Sequence, residues 1–170
     1  MDLRTFVIDI PDFPKAGVLF RDITPLLADP LAFRQALETM AAPVSTLRAT
    51  HVLGLESRGF IFGAALAQKM GLGFVPARKP GKLPRPTLKE AYGLEYGEDA
   101  LEVHKDAFKP GDRVLIVDDV LATGGTAAAA RRLVEACGAH PVALTLFIEL
   151  GFLPGREKLS GLPVFSVLRY

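Results

Sequence analysis

The chain has 170 residues, of which 20 are basic and 19 acidic, giving a formal net charge of +1. That length suits one domain with a sizeable core and would crowd two, and the balanced charge offers no global attraction to nucleic acid or to an anionic membrane. One cysteine, Cys137, rules out an internal disulfide, and His51, His104 and His140 lack zinc-ligand spacing. The N-terminal MDLRTFVIDIPDF carries acids where a signal peptide needs an unbroken apolar stretch, and no run approaches the length of a membrane span. A soluble, cytoplasmic protein is the expectation.

Residues 1–27 contain Pro11, Pro14 and Pro25 and are expected to be extended or turned, clamping onto the rest of the chain. Within them, Gly17-Val18-Leu19-Phe20-Arg21-Asp22 sets an aromatic ring beside an arginine and an aspartate. Phe20 there suits either stacking on a planar ligand or plugging a core. Asp29-Pro30 reads as an N-cap followed by proline at the first helical position, with Phe33, Ala36, Leu37 and Met40 on one face of the helix. His51 to Leu55 reads as a strand that ends in Glu56-Ser57-Arg58-Gly59, before a helix from about Phe60 to Met70 that Gly71 closes. Arg58 at such a strand end fits an anion or a surface ion pair, with Ser57 as a donor beside it. Ser57 is not a hydrolase nucleophile, because the G-x-S-x-G elbow is absent.

Gly73 to Arg78 is a third strand. Arg78 to Pro86 is basic and broken by prolines, an excursion that a parallel sheet does not need. It fits a solvated loop or a lid holding Arg78, Lys79 and Lys82 above an anion; a nucleic-acid patch would need interleaved aromatics. Thr87 to Val103 reads as a short antiparallel pair outside the core sheet. With little apolar surface between Arg78 and Tyr96, this lid is expected to be mobile until a ligand holds it.

The turn Lys109-Pro110-Gly111-Asp112 then precedes Val114 to Thr126, VLIVDDVLATGGT. An apolar run ending in two carboxylates reads as a buried strand entering a loop, and Ala127 to Cys137 as a helix that Gly138 stops. Free N–H groups in the loop and at the helix N-terminus suit a phosphate, and the glycines let the backbone approach it. Asp118 and Asp119 would repel that phosphate, so they need another partner, either vicinal ribose hydroxyls or a hydrated Mg²⁺. A ribose 5′-phosphate accounts for both halves. Neither G-x-x-x-x-G-K-[ST] nor G-x-G-x-x-G occurs. Val142 to Ile148 is another strand, ending in Glu149-Leu150-Gly151; Pro154 to Leu159 is a helical turn, and Val164 to Leu168 a last strand. The alternation predicts an α/β fold whose mainly parallel sheet is flanked by helices, with Asp118, Asp119, Ser57, Arg58, Arg78 and Leu150 gathered along the strands' carboxyl edge.

VLIVDDVLATGGT resembles the 5-phosphoribosyl 1-diphosphate (PRPP) signature of type I phosphoribosyltransferases. IPDFPKAGVLFRDITPLL, GLESRGFIFG, ARKPGKLPRPTL, LEYG and GREKL resemble the adenine phosphoribosyltransferases in particular, and these stretches span nearly the whole chain. The resemblance implies a type I phosphoribosyltransferase-like fold, a single domain over residues 1–170 with a small hood (about 1–27) and a flexible lid hairpin (about 78–104). It implies a Mg²⁺-dependent homodimer that makes AMP and diphosphate from adenine and PRPP. By matching motif, Asp118 and Asp119 hold the ribose hydroxyls and assist a Mg²⁺ carried mainly by PRPP and water, while Ala122, Thr123, Gly124, Gly125 and Thr126 hold the 5′-phosphate. Ser57, Arg58, Arg78 and Lys82 surround the diphosphate, with one or more of the basic groups reaching across the dimer. Phe20 and Leu150 sandwich the purine with Arg21 alongside, and Glu95 is the lid carboxylate near the imidazole nitrogens. Glu95 and Arg58 are the catalytic candidates. The alternatives are a hypoxanthine or xanthine enzyme, and a PRPP-sensing regulator for which the chain shows no DNA-binding segment.

Overall fold

Proline placement shapes the first of two compact units, Met1–Thr39, which contains the expected hood segment; the computed structural model describes residues 1–94 and 97–170 of the chain. A 3₁₀ turn at Leu3–Phe6 leads into β1 (Ile8–Pro11) and β2 (Leu19–Asp22), which pair antiparallel with Ile8 opposite Asp22 and Pro11 opposite Leu19. Where extended chain was expected, Pro25 instead sits in the first turn of a short helix, α1 (Thr24–Ala28), a place where its missing N–H costs nothing. Asp29 caps α2 (Pro30–Ala41) as its sequence predicts, accepting the amides of Leu31 at 2.9 Å and Ala32 at 2.8 Å. That helix buries Ala32, Ala36 and Met40 and half-buries Phe33 and Leu37.

The second unit, Met40–Tyr170, opens its sheet with β3 (His51–Leu55), α3 (Gly59–Met70) and β4 (Gly73–Ala77). A two-stranded hairpin, β5 (Thr87–Leu94) and β6 (Gly97–His104), intervenes. The chain then returns through β7 (Arg113–Leu121), α4 (Gly125–Ala136), β8 (His140–Glu149) and β9 (Val164–Arg169). The five sheet strands are all parallel, in the order β4-β3-β7-β8-β9. Both faces are covered, which is why the strands read as continuous apolar runs. Leu53, Ile116, Ala130 and Leu133 belong to one cluster between sheet and α4, whereas Phe62 of α3 stacks on Phe147 of β8 with ring centroids 5.7 Å apart.

The hairpin packs against α4, chiefly through its second strand. Leu101 and Val103 are fully buried and join the α4 cluster, with Leu88 and Tyr92 packed against it. Arg132 of α4 adds a bond from Nε to Glu90 at 2.8 Å and one from Nη2 to the Ala91 carbonyl at 3.1 Å. Leu101 and Val103 alternate along β6, past the basic, proline-rich stretch of residues 78–86, and point into that cluster. No helix among the described residues is long and apolar enough to cross a membrane.

From β3 the chain steps to β4 on one side, and from β7 to β8 on the other. The connection reverses between β3 and β7, so a crevice opens at their carboxyl ends, the place where open α/β sheets bind ligands.

Candidate active site

Two loops flank that crevice, residues 56–58 after β3 and 122–124 after β7. β7 continues to Leu121, past the carboxylates expected at its end, because Asp118 still pairs with Leu146 and Leu121 with Glu149 on β8. Helix α4 starts at Gly125, earlier than the expected Ala127.

Asp119 is buried, and its Oδ2 lies 2.6 Å from Arg58 Nε, an ion pair across the crevice without hydrogen-bond geometry. Asp118 turns Oδ1 toward the start of α3: a Cβ on Gly59 would sit 2.8 Å from that oxygen and 3.0 Å from the Val117 carbonyl oxygen, so any side chain there would push on this carboxylate. The Asp119 amide donates to the same oxygen at 2.8 Å. Burial, then the neighbouring Asp119 charge, pushes the Asp118 carboxyl well above the ordinary carboxylate range. The pair therefore splits into one carboxylate matched by a guanidinium and one that holds its proton more tightly.

Beyond the carboxylates, Asp118, Ala122, Thr123, Gly124 and Thr126 line one cavity. Gly124 adopts φ +80° and Gly125 begins α4, so the amides of the first helical turn lack intrahelical partners beside that cavity. Ser57 is exposed on the opposite loop and follows a cis Glu56–Ser57 peptide.

Arg78 and Lys82 converge on Glu56, at 3.3 Å from Oε2 and 3.2 Å from Oε1, while the Lys79 amide donates to Oε2 at 2.7 Å. Burial would raise the Glu56 pKa, but the Lys79 amide, Lys82 and Arg78 together hold it below the usual range. The Lys79 side chain pairs instead with Asp99, and Tyr92 donates to the same carboxylate at 3.0 Å. Arg78 is also tied by its backbone to Glu102 of β6, with bonds of 2.9 and 2.8 Å. Leu150, just past β8, donates its amide to the Leu121 carbonyl at 2.9 Å.

In the first unit Phe20 meets Phe13 edge-on, centroids 5.1 Å apart, and both line a small cavity with Ile10 and Asp22. Arg21 pairs with Asp9. Glu95 and Tyr96 lie outside the described residues. Sequence reasoning missed Glu56, Glu149 and Gly155. Isolated acids and a glycine in a turn carry no local pattern, and their importance comes only from partners that the fold brings in.

Among the described residues no group of three or more His, Cys, Asp or Glu side chains is placed to hold a metal ion. With two adjacent carboxylates, one already matched by Arg58, the donor set suits a Mg²⁺ that keeps its waters and its substrate phosphates, not one caged by protein.

The phosphoribosyl transferase domain family matches residues 28–157, and the chain belongs to that family. Within it, the adenine phosphoribosyltransferase of Carboxydothermus hydrogenoformans is 58% identical over 170 residues, covering 100% of both chains. The crystal structure of adenine phosphoribosyltransferase from Thermoanaerobacter pseudethanolicus superposes with a TM-score of 0.97 at 48% identity, over 99% of this chain and 98% of that one. The Saccharomyces cerevisiae enzyme, complexed with adenine and an imino-altritol 1,6-bisphosphate, gives a TM-score of 0.93 at 42% identity, over 98% and 97% of the two chains.

Proposed function

We propose that this protein is an adenine phosphoribosyltransferase that forms AMP and diphosphate from adenine and PRPP. The observation that carries the reading is VLIVDDVLATGGT folded as strand, loop and helix start at the reversal point of the sheet, in a chain so similar to enzymes of that name. In this reading the amides of Ala122 to Thr126 and the two threonine hydroxyls hold the 5′-phosphate at the N-terminus of α4. Asp118 and Asp119 accept the ribose hydroxyls, with Arg58 fixing the orientation of Asp119. Phe20 and Leu150 supply apolar faces for the base, with Arg21 beside it.

The reaction makes the N–C bond to the anomeric carbon as the C–O bond to diphosphate breaks, through a transition state of oxocarbenium character. Charge then builds on the leaving group. Arg58, Arg78 and Lys82 neutralise it, with Ser57 donating, and preorganised donors of this kind are worth several kcal/mol, about 3 for a single one. Arriving diphosphate replaces Glu56 as the partner of Arg78 and Lys82, so the cations are assembled before substrate enters. Glu95 accepts a hydrogen bond, or the proton itself, from the imidazole of adenine. Magnesium carried by PRPP supplies further charge neutralisation, and Asp118 and Asp119 are the groups that would meet it through water. A hairpin closed over the crevice excludes the water that would hydrolyse PRPP. The reaction is assigned to the cytoplasm, and the active form to a homodimer.

Asp119→Asn is the direct test. Losing an acceptor for the ribose hydroxyls, worth roughly 1.5–3 kcal/mol for a charged group, should raise the KM for PRPP by about tenfold or more with the fold intact by thermal melting. Unchanged AMP synthesis at limiting PRPP would contradict the assignment.

A further inference from the structure

Behind the phosphate loop stands an ion pair that the reaction as described does not use. Glu149, the last residue of β8, is 3% exposed. Its oxygens accept Arg156 Nε at 2.6 Å and Nη2 at 2.7 Å, the fork geometry that fixes a guanidinium in plane. The Ser166 hydroxyl adds a bond at 2.7 Å, and Arg156 Nη1 donates to the Val164 carbonyl at 3.0 Å. Arg169 Nε lies 3.8 Å from the same carboxylate.

Both chain neighbours of this pair touch the site. Gly155, immediately before Arg156, is pressed against the phosphate loop: a Cβ on Gly155 would lie 2.4 Å from the Ala122 carbonyl oxygen. The contact is mutual, since a Cβ on Gly124 would lie 2.4 Å from the Gly155 carbonyl oxygen. Leu150, immediately after Glu149, is bonded through its amide to the Leu121 carbonyl at 2.9 Å, at the stem of the same loop. Backbone packed on backbone leaves no flexible side chain to absorb a shift.

We infer that the Glu149–Arg156 pair is a positioning device that sets the 5′-phosphate loop and Leu150 in register, so that phosphate and base are held at the separation one nucleotide requires. The inference rests on the proposed reading of Ala122 to Thr126 and of Leu150. Neither Glu149 nor Arg156 touches substrate in this scheme; both act through Gly155 and Leu150. A lysine keeps the charge but cannot hold both carboxylate oxygens in one plane, so it is not a conservative replacement at this position.

The experiment is steady-state kinetics of AMP synthesis by full-length wild type, Arg156→Lys and Arg156→Ala. In Arg156→Lys the KM values for PRPP and adenine should both rise, by about tenfold, with kcat within about threefold, because misplacement of a binding group acts mainly before the chemical step. Added guanidinium at millimolar concentration should lower both KM values of Arg156→Ala, an effect opposite to that of a denaturant. Unmoved KM values in Arg156→Ala would overturn the inference, and so would a fall in kcat alone that guanidinium does not reverse. A wild-type chain that makes no AMP would overturn the reading beneath it, and this inference with it.

Discussion

Glu149 and Asp118 show how a carboxyl group takes opposite character in two surroundings of one fold. The Arg156 hydrogen bonds, opposed by burial and helped by Ser166, bring the Glu149 pKa from 4.5 down to about 2. Asp118, with burial and a like charge against it, moves upward instead. Since Glu149 is more acidic folded than unfolded, its contribution to stability is complete above pH 4.5 and fades as pH falls toward about 2. Thermal melts of wild type and Glu149→Gln should therefore differ most near neutrality and converge through that acid window. A gap that stays constant across it would show that the carboxylate's charge is not what stabilises this corner. Asp118, Asp119 and the glycines after them were legible in the sequence because one contiguous stretch carries them. Glu56 was not, since its partners Arg78 and Lys82 lie 22 and 26 residues away and meet it only once β3 and β4 are paired.

At the scale of elements, the sheet strands and α2, α3 and α4 were readable from apolar runs bounded by caps and glycines. α1 was hidden because Pro25 reads as a breaker and serves as a starter. The hairpin was recognised as antiparallel, but its seat on α4 was not, because Leu101 and Val103 find their partners in a helix that begins some twenty residues later in the sequence. Arg132 clamps that seat from the helix side. Arg132→Ala removes an exposed ion pair and a hydrogen bond to the hairpin, together worth about 1 kcal/mol. Amide exchange in β5 and β6 should speed up several-fold while β7 and β8 keep their protection. Equal acceleration in the sheet would mean that hairpin and core open together.

For the whole molecule, the β4 edge bears on assembly. Phe74 on β4, the edge strand of the five-stranded sheet, and Ile61 on α3 are 37% and 42% exposed, and in the proposed homodimer a second copy of the chain would cover such apolar positions. Ile61→Glu should shift the proposed homodimer toward monomer in sedimentation at micromolar concentration; an unchanged dimer would place the interface elsewhere.

Which base the protein accepts is the claim on which the proposed activity turns. Apolar stacking of the kind proposed for the base offers area to any purine, so selection must come from hydrogen bonds along the base edge, where a mismatched group leaves a buried partner unpaired at a cost of roughly 1–3 kcal/mol. The most direct measurement supplies equimolar adenine, hypoxanthine, xanthine and guanine together with PRPP and Mg²⁺ and separates the nucleoside monophosphates formed. The expected result is AMP in excess over every other product by well over about tenfold. AMP and IMP in comparable amounts, or no monophosphate at all, would contradict it.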